Sequence, residues 1–94
     1  MSIRTLVVDD EPLARDGMRL HLASQPDIKV VGEAADGVQA VEAIRALRPD
    51  LVFLDVQMPE VDGLEVVERI GAGAMPAVVF VTAYHQHAVR AFEL

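Results

Sequence analysis

The chain has 94 residues, 52% of them apolar, and carries a formal net charge of −7 with no cysteine. This length and composition fit one small packed domain, and the lack of cysteine excludes disulfide frameworks and thiolate metal sites. The acidic balance disfavours binding to nucleic-acid phosphates. The apolar runs are too short for a bilayer and no signal-type segment opens the chain, so we expect no membrane association and a cytoplasmic location.

Segments that predict strands and helices alternate from the N-terminus. Ile3–Val8 predicts a buried strand. Pro12, which a first helical turn tolerates, opens a helix that we expect to run to about Gln25. The inner face predicted for this helix comprises Leu13, Ala14, Gly17, Met18 and Leu22.

The second strand and helix follow the same pattern. Ile28–Ala34 predicts an edge strand, because Lys29 and Glu33 interrupt its apolar run. Asp36, with a glutamine three residues later, is a variant of the capping box and starts the next helix, which Pro49 closes. The apolar stripe predicted for that helix is Ala40, Val41, Ile44 and Leu47.

Two further units complete the chain. Leu51–Leu54 predicts a third strand, and Ala77–Val81 predicts a fourth. Between them, Asp62 and Glu65 cap a third helix, which Gly71 and Gly73 end. The stripe of the third helix would be Leu64, Val67 and Ile70, and a fourth helix is expected around Ala88, Ala91 and Phe92. Four strand–helix units favour parallel strands joined by right-handed crossovers. We therefore predict a three-layer α/β/α, flavodoxin-like domain with strand order 2-1-3-4.

Acidic residues follow two of these strands directly. The first strand stops at Asp9 and Asp10, and the third stops at Asp55. The carboxyl ends of parallel strands meet at one edge of the sheet, where ligands bind. Three carboxylates this close together repel one another unless a cation binds between them. We expect a hard divalent cation with oxygen ligands, namely magnesium. At the same edge, the hydroxyl of Thr82 could donate to an anion, and Ala83 leaves room for one.

Each of these residues also has a simpler explanation. Asp9, Asp10 and Glu11 could simply cap the first helix, because acidic residues favour helix N-termini. Asp55 could be a solvated strand end, Thr82 an ordinary β-branched strand residue, and Tyr84 a packing residue.

Three motifs in this order resemble the receiver domain of two-component response regulators. They are VVDDEP at 7–12, LDVQMP at 54–59 followed by Asp62-Gly63, and VTAY at 81–84. The resemblance covers nearly the whole chain, so residues 1–94 are predicted to be one receiver domain. The stretch 82–93 further resembles the LytTR-type transcriptional regulators.

The resemblance implies a role for each matching residue. Asp55 would be the phosphoacceptor that attacks a phosphohistidine of a sensor histidine kinase. Asp10 and Asp55 would bind Mg²⁺ directly, Asp9 would help through water, and the backbone carbonyl of Gln57 would complete the ligands. Thr82 would bond a phosphoryl oxygen during catalysis and switching. The switch region implied by the family comprises Thr82, Ala83 and Tyr84.

The resemblance also implies partners beyond this chain. Receivers continue into a fifth strand, whose end carries a lysine, and a fifth helix, and they switch an attached output domain, here expected to bind DNA. This sequence has no lysine after Lys29 and stops at Leu94, so we expect a receiver cut before those elements. Because Ala77–Val81 lacks charge and proline, we also expect a homodimer or a domain-swapped oligomer.

Two other classes of function compete with this one. A phosphorylation-independent interaction module would be expected to have lost part of its acidic cluster, yet all three acidic positions are present. A haloacid-dehalogenase-type, Mg²⁺-dependent phosphatase needs a second aspartate two residues after its nucleophile, where this chain has Gln57. We therefore expect a signalling phosphoacceptor and not an enzyme acting on a separate substrate.

Overall fold

Four strands alternate with three helices in the computed structural model, which describes residues 2–81. The elements are β1 Ile3–Val8, α1 Pro12–Ala23, β2 Ile28–Ala34, α2 Gly37–Leu47, β3 Leu51–Asp55, α3 Gly63–Ile70 and β4 Ala77–Val81. The helix predicted around Ala88 lies outside the described residues. Across residues 2–81, no helix combines the length and the apolarity that crossing a bilayer requires.

All strand pairs are parallel, and the strand order is β2-β1-β3-β4. This is the predicted flavodoxin-like order, and β2 lies at one edge of the sheet as predicted. In such a sheet all strands end on the same side, so the segments after β1, β3 and β4 share one edge.

The main core lies between the sheet and the helices α2 and α3. The sheet side of this core consists of alternate residues of the two central strands, because successive side chains of a strand point to opposite faces. The fully buried members from these strands are Leu6, Val8, Val52 and Leu54. The stripe predicted for α2 is confirmed, with Ala40, Val41 and Ile44 buried and Leu47 packed against the cluster.

The inner face predicted for α1 is confirmed for two of its five residues and wrong for the other three. Leu22 is buried and Met18 half-buried, but Leu13 is 79% exposed, and Ala14 and Gly17 are exposed as well. The partly buried position one turn before Met18 is Arg15. The helix therefore places a charged residue toward the sheet, and its polar contacts, described below, set the rotation of the helix.

The stripe predicted for α3 is also partly wrong. Val67 and Ile70 pack against the core, but Leu64 is 55% exposed and the fully buried residue is Val66. The reason is Gly63, which is buried against the backbone of β3. Residues three, four and seven positions after Gly63 share its face of the helix, and Leu64 does not.

Both predicted capping interactions of α2 and α3 are confirmed. Asp36 Oδ1 accepts a hydrogen bond from the backbone N–H of Gln39, and Asp62 Oδ1 accepts one from that of Glu65, each at 2.8 Å. These bonds satisfy N–H groups that a helix leaves without a partner. At its other end α3 stops at Gly71, as predicted, in a conformation with φ of 92°.

The pairing of β1 with β2 contains one irregularity. Thr5 pairs with Val30, but the next residue, Leu6, pairs with Gly32, so β2 holds one extra residue. Beyond this bulge Val7 pairs with Glu33. A shift of one residue moves every following side chain to the other face of the sheet. The bulge thus directs Glu33 to the face that carries α1.

Candidate phosphoacceptor site

The three acidic residues predicted to converge do so. Val8 pairs with Leu54, so the residues that follow in β1 and β3 are neighbours at the end of the sheet. Carboxylate oxygens of Asp9, Asp10 and Asp55 all lie within 4.8 Å of one another. Asp9 is 8% exposed and Asp55 is 1% exposed, whereas Asp10 is open to solvent.

Backbone N–H groups hold two of these carboxylates in place. Asp9 Oδ1 accepts from the N–H of Glu11 at 2.9 Å, and Asp55 Oδ1 accepts from the N–H of Gln57 at 3.1 Å. Glu11 is the N-cap residue of α1 and its side chain makes no capping bond. The alternative in which the acidic cluster simply caps α1 therefore does not account for this arrangement.

The second oxygen of Asp55 is buried without a partner. Of the buried side-chain oxygen and nitrogen atoms in residues 2–81, Asp55 Oδ2 is the one that has no hydrogen bond. Burial, with the negative charges of Asp9 and Asp10 adding to it, raises the pKa of Asp55 to about 6 despite the opposing bond from Gln57. An ionised Asp55 is therefore costly here unless a cation faces Oδ2.

The loop after β3 is fixed to the end of β4. The backbone N–H of Val56 donates to the carbonyl oxygen of Val81 at 3.0 Å, and that of Gly63 donates to the carbonyl oxygen of Val56 at 2.9 Å. Gln57 lies in this loop with its side chain exposed. The loop that follows Asp55 and contains Gln57 is thus hydrogen-bonded directly to the strand that precedes Thr82.

Two glycines that the sequence analysis assigned no site role press against this loop. A Cβ on Gly63 would lie 2.5 Å from the carbonyl oxygen of Asp55, and a Cβ on Gly37 would clash with the carbonyl oxygen of Val61. Neither clash leaves room for a side chain, because backbone cannot move aside as a flexible side chain does. The available signal was that each glycine directly follows a capping aspartate.

Arg15 is a third residue that sequence reasoning missed. Its Nη1 donates to the backbone carbonyl oxygen of Asp9 at 2.7 Å, and its Nε lies 3.4 Å from Glu33 Oε1. An arginine in a helix ordinarily indicates a solvated face, so the sequence alone offered no signal for this contact.

Comparison with known proteins assigns the family. The family model for the response regulator receiver domain matches residues 5–94. The chain belongs to the response regulator receiver family.

Relatives of this receiver domain include a transcriptional regulator. The transcriptional regulatory protein BtsR of Salmonella typhi is 50% identical over 91 residues, which are 97% of this chain and 38% of BtsR. The signal receiver domain of the response regulator NarL from Mycobacterium tuberculosis superposes with a TM-score of 0.81 at 37% identity, covering 94% of this chain and 72% of that one. A chain of the CheX–CheY–BeF3–Mg²⁺ complex from Borrelia burgdorferi gives 0.78 at 26% identity, covering 93% and 66%. The chain thus spans well under half the length of the curated relative.

The acidic cluster of this receiver domain fits a magnesium ion. Mg²⁺ prefers oxygen ligands and is usually bound by one or two carboxylates plus water. The cluster offers three carboxylates, of which one oxygen, Asp55 Oδ2, is buried without a hydrogen bond. A cation at this point would satisfy that oxygen and offset the mutual repulsion of the acids.

The remaining predicted site residues are Thr82, Ala83 and Tyr84, and all three lie outside the described residues. The last described residue of β4 is Val81, which pairs with Asp55.

Proposed function

We propose that residues 1–94 form a single phosphoacceptor domain that takes a phosphoryl group on Asp55 from a sensor histidine kinase in a Mg²⁺-dependent reaction. The observation that carries the proposal is the unpartnered oxygen Asp55 Oδ2, buried beside Asp9 and Asp10 at the end of the sheet. Membership in the receiver family supports the same role.

The reaction uses the ionised carboxylate of Asp55. One oxygen attacks the phosphorus of a phosphohistidine, the P–N bond breaks, and the imidazole departs with the electron pair as an acyl phosphate forms on Asp55. The N–H of Gln57 holds Oδ1 and so fixes the orientation of the carboxylate, while Oδ2, which has no hydrogen bond, is the oxygen available to the metal ion. Burial excludes competing water from the carboxylate.

We assign the metal ligands as Asp10 and Asp55 directly, Asp9 through water, and the backbone carbonyl of Gln57. The ion would neutralise the charge that accumulates on the transferring phosphoryl oxygens. The close carboxylates support the assignment. So does the similarity to the Borrelia complex, in which CheY is present with Mg²⁺ and BeF3.

We further propose that Thr82 bonds a phosphoryl oxygen and that Thr82, Ala83 and Tyr84 report the modified state to partners. The bond from Val56 N–H to the Val81 carbonyl supports this, because it joins the loop beside Asp55 to the residue just before Thr82. A phosphoryl group adds charge and strong acceptors that such a neighbouring segment can sense.

The output we propose is transcriptional regulation through an attached DNA-binding domain of LytTR type, which would place the protein in the cytoplasm. The BtsR relative, named a transcriptional regulatory protein, supports this output. The segment itself, with its formal charge of −7, is not expected to bind nucleic acid directly.

The two competing functions find less support in the geometry. An interaction module that does not use phosphorylation has no need for three carboxylates brought together around a buried oxygen. A haloacid-dehalogenase-type phosphatase needs a general acid at position 57, where Gln57 has an exposed amide side chain.

The proposed function is tested by intact-mass spectrometry. The purified chain is incubated with a small phosphodonor such as acetyl phosphate, with MgCl₂ or with a chelator in its place. We expect the mass of one phosphoryl group to be added with Mg²⁺ and little or none with the chelator. Equal modification in both samples would contradict the metal dependence.

We also propose that the 94-residue chain self-associates through β4. Within residues 2–81 this strand is at one edge of the sheet, and Val79 and Phe80 are 43% and 47% exposed. An apolar edge strand without charge or proline recruits another strand. Light scattering at high protein concentration should give the mass of a homodimer or a domain-swapped oligomer. A monomer mass at every concentration would refute this proposal.

A further inference from the structure

Arg15 contacts the acidic segment at the backbone of Asp9. Its side chain is only 18% exposed, although α1 otherwise presents large apolar residues such as Leu13 to solvent. The contact is made to backbone: Nη1 donates to the carbonyl oxygen of Asp9 at 2.7 Å. The guanidinium thus binds the peptide unit between Asp9 and Asp10 and does not occupy their carboxylate oxygens.

Glu33 holds the arginine in this position. Glu33 Oε1 lies 3.4 Å from Arg15 Nε. One planar guanidinium therefore contacts both a side chain of β2 and the backbone of Asp9, the residue that follows β1. The β2 bulge makes this contact available. If the register of Thr5 and Val30 continued without a bulge, Glu33 would pair with Val8 and point into the apolar core instead of toward α1. Bulges often re-aim a side chain beside a functional site.

Stability alone does not explain the arrangement. The carboxylate of Glu33 is 34% exposed, and ion pairs open to solvent contribute little to folding. Arg19 also pairs with Glu33, with its Nε 3.4 Å from Oε2, and it pairs with Asp16 on its own helix. Arg15 differs from Arg19 in its additional bond to Asp9.

We propose that Arg15 is a positioning residue for the metal site, which holds the backbone of Asp9 so that the carboxylates of Asp9 and Asp10 face Asp55. The inference rests on the proposed Mg²⁺-dependent function. Residues that orient metal ligands change metal affinity without touching the ion.

The sign of the effect separates positioning from simple electrostatics. Removing a positive charge near a cation site should by itself tighten Mg²⁺ binding, because a like charge is lost. Removing a residue that orients the ligands should weaken it. Arg15→Met keeps the aliphatic stem and the helix propensity, so it removes the charge and the donors with little change in packing. Arg19→Met is the matched control, since it removes the same charge from the same helix and the same pairing with Glu33.

MgCl₂ titrations by calorimetry compare the unmodified chain with the two variants. We expect Arg15→Met to raise the Kd for Mg²⁺ about 10-fold, the lower end of the range for residues that orient ligands. Arg19→Met should leave the Kd within about twofold, because exposed charges interact weakly. Arg15→Lys should recover part of the loss, as lysine keeps a donor but cannot bridge two acceptors with a fork.

A second measurement is independent of the metal. The N–H of Glu11 donates to Asp9 Oδ1, so its hydrogen exchange reports how well Asp9 is held. In metal-free protein, exchange at Glu11 should be several-fold faster in Arg15→Met and unchanged in Arg19→Met.

The two measurements distinguish failure of this inference from failure of the proposed function. Equal or tighter Mg²⁺ binding by Arg15→Met would overturn the positioning role. If the unmodified chain bound no Mg²⁺, the proposed function would fail. Exchange at Glu11 would then still decide whether Arg15 positions Asp9.

Discussion

Asp55→Asn is expected to abolish phosphoryl transfer to the chain from a small phosphodonor in the presence of MgCl₂. An amide oxygen is a poor nucleophile, and the substitution also removes one metal ligand. The neighbouring acids are poor substitutes. Asp9 Oδ1 is already bound by the N–H of Glu11, and Asp10 is exposed to water. Intact-mass spectrometry of parent and variant under identical conditions gives the result directly.

Glu60→Gln is the matched control for that experiment. Glu60 is an exposed acid in the same β3–α3 loop, so the variant loses the same charge without altering the acidic cluster. It should gain the phosphoryl group as the parent does. Modification of the Asp55→Asn chain to the parental level would show that another residue is the acceptor. Loss of modification in Glu60→Gln would show that loop charge, and not the buried carboxylate, controls the reaction.

The same Asp55→Asn substitution should stabilise the metal-free fold near neutral pH. Burial raises the pKa of Asp55 from 3.8 to about 6, so the native state binds the proton more tightly than the unfolded chain does. The stability of the parent therefore falls as the pH rises from about 4 to about 6, and stays low above that range. This loss of stability is at most about 3 kcal/mol of unfolding free energy, and less to the extent that solvent screens the carboxylate, and the asparagine variant does not suffer it.

Urea unfolding between pH 4 and pH 8 in the presence of a chelator measures this effect. The variant should exceed the parent by the full amount above about pH 6, and the difference should vanish toward pH 4. Asp27→Asn is a suitable control, because Asp27 is exposed and immediately precedes β2, at the opposite end of the sheet. Added Mg²⁺ should stabilise the parent more than the Asp55→Asn variant. A pH-independent difference would mean that Asp55 is not protonated in the native state.

The strands and the acidic convergence were predictable because both depend on short-range patterns. A buried parallel strand is a continuous apolar run, and the residue after it lies at the carboxyl edge whatever the helices do. Asp9, Asp10 and Asp55 follow from that rule alone. The capping aspartates Asp36 and Asp62 were predictable for a similar reason, since a cap is decided within four residues.

The rotation of two helices was not predictable, because contacts distant in sequence decide it. In α1, Arg15 faces the sheet to reach Asp9 and Glu33, and this turns Leu13 outward. In α3, the close approach of Gly63 to the backbone of Asp55 sets the phase and leaves Leu64 exposed. Apolar periodicity assumes that the most apolar stripe is buried, and it fails where a polar contact or a backbone contact determines the face.

The inward-facing and outward-facing positions around the β3–α3 loop differ in how well they tolerate substitution. Met58 and Val61 are buried, and Gly63 has no space for a side chain, so the inward positions are set by the fold. Gln57 and Glu60 face solvent within the same loop, next to the proposed acceptor. Under the proposed function, a library aimed at pairing this domain with a different kinase can therefore vary position 57 freely and position 60 among residues that accept its φ of 66°, while the inward positions are kept and the chemistry needs no redesign.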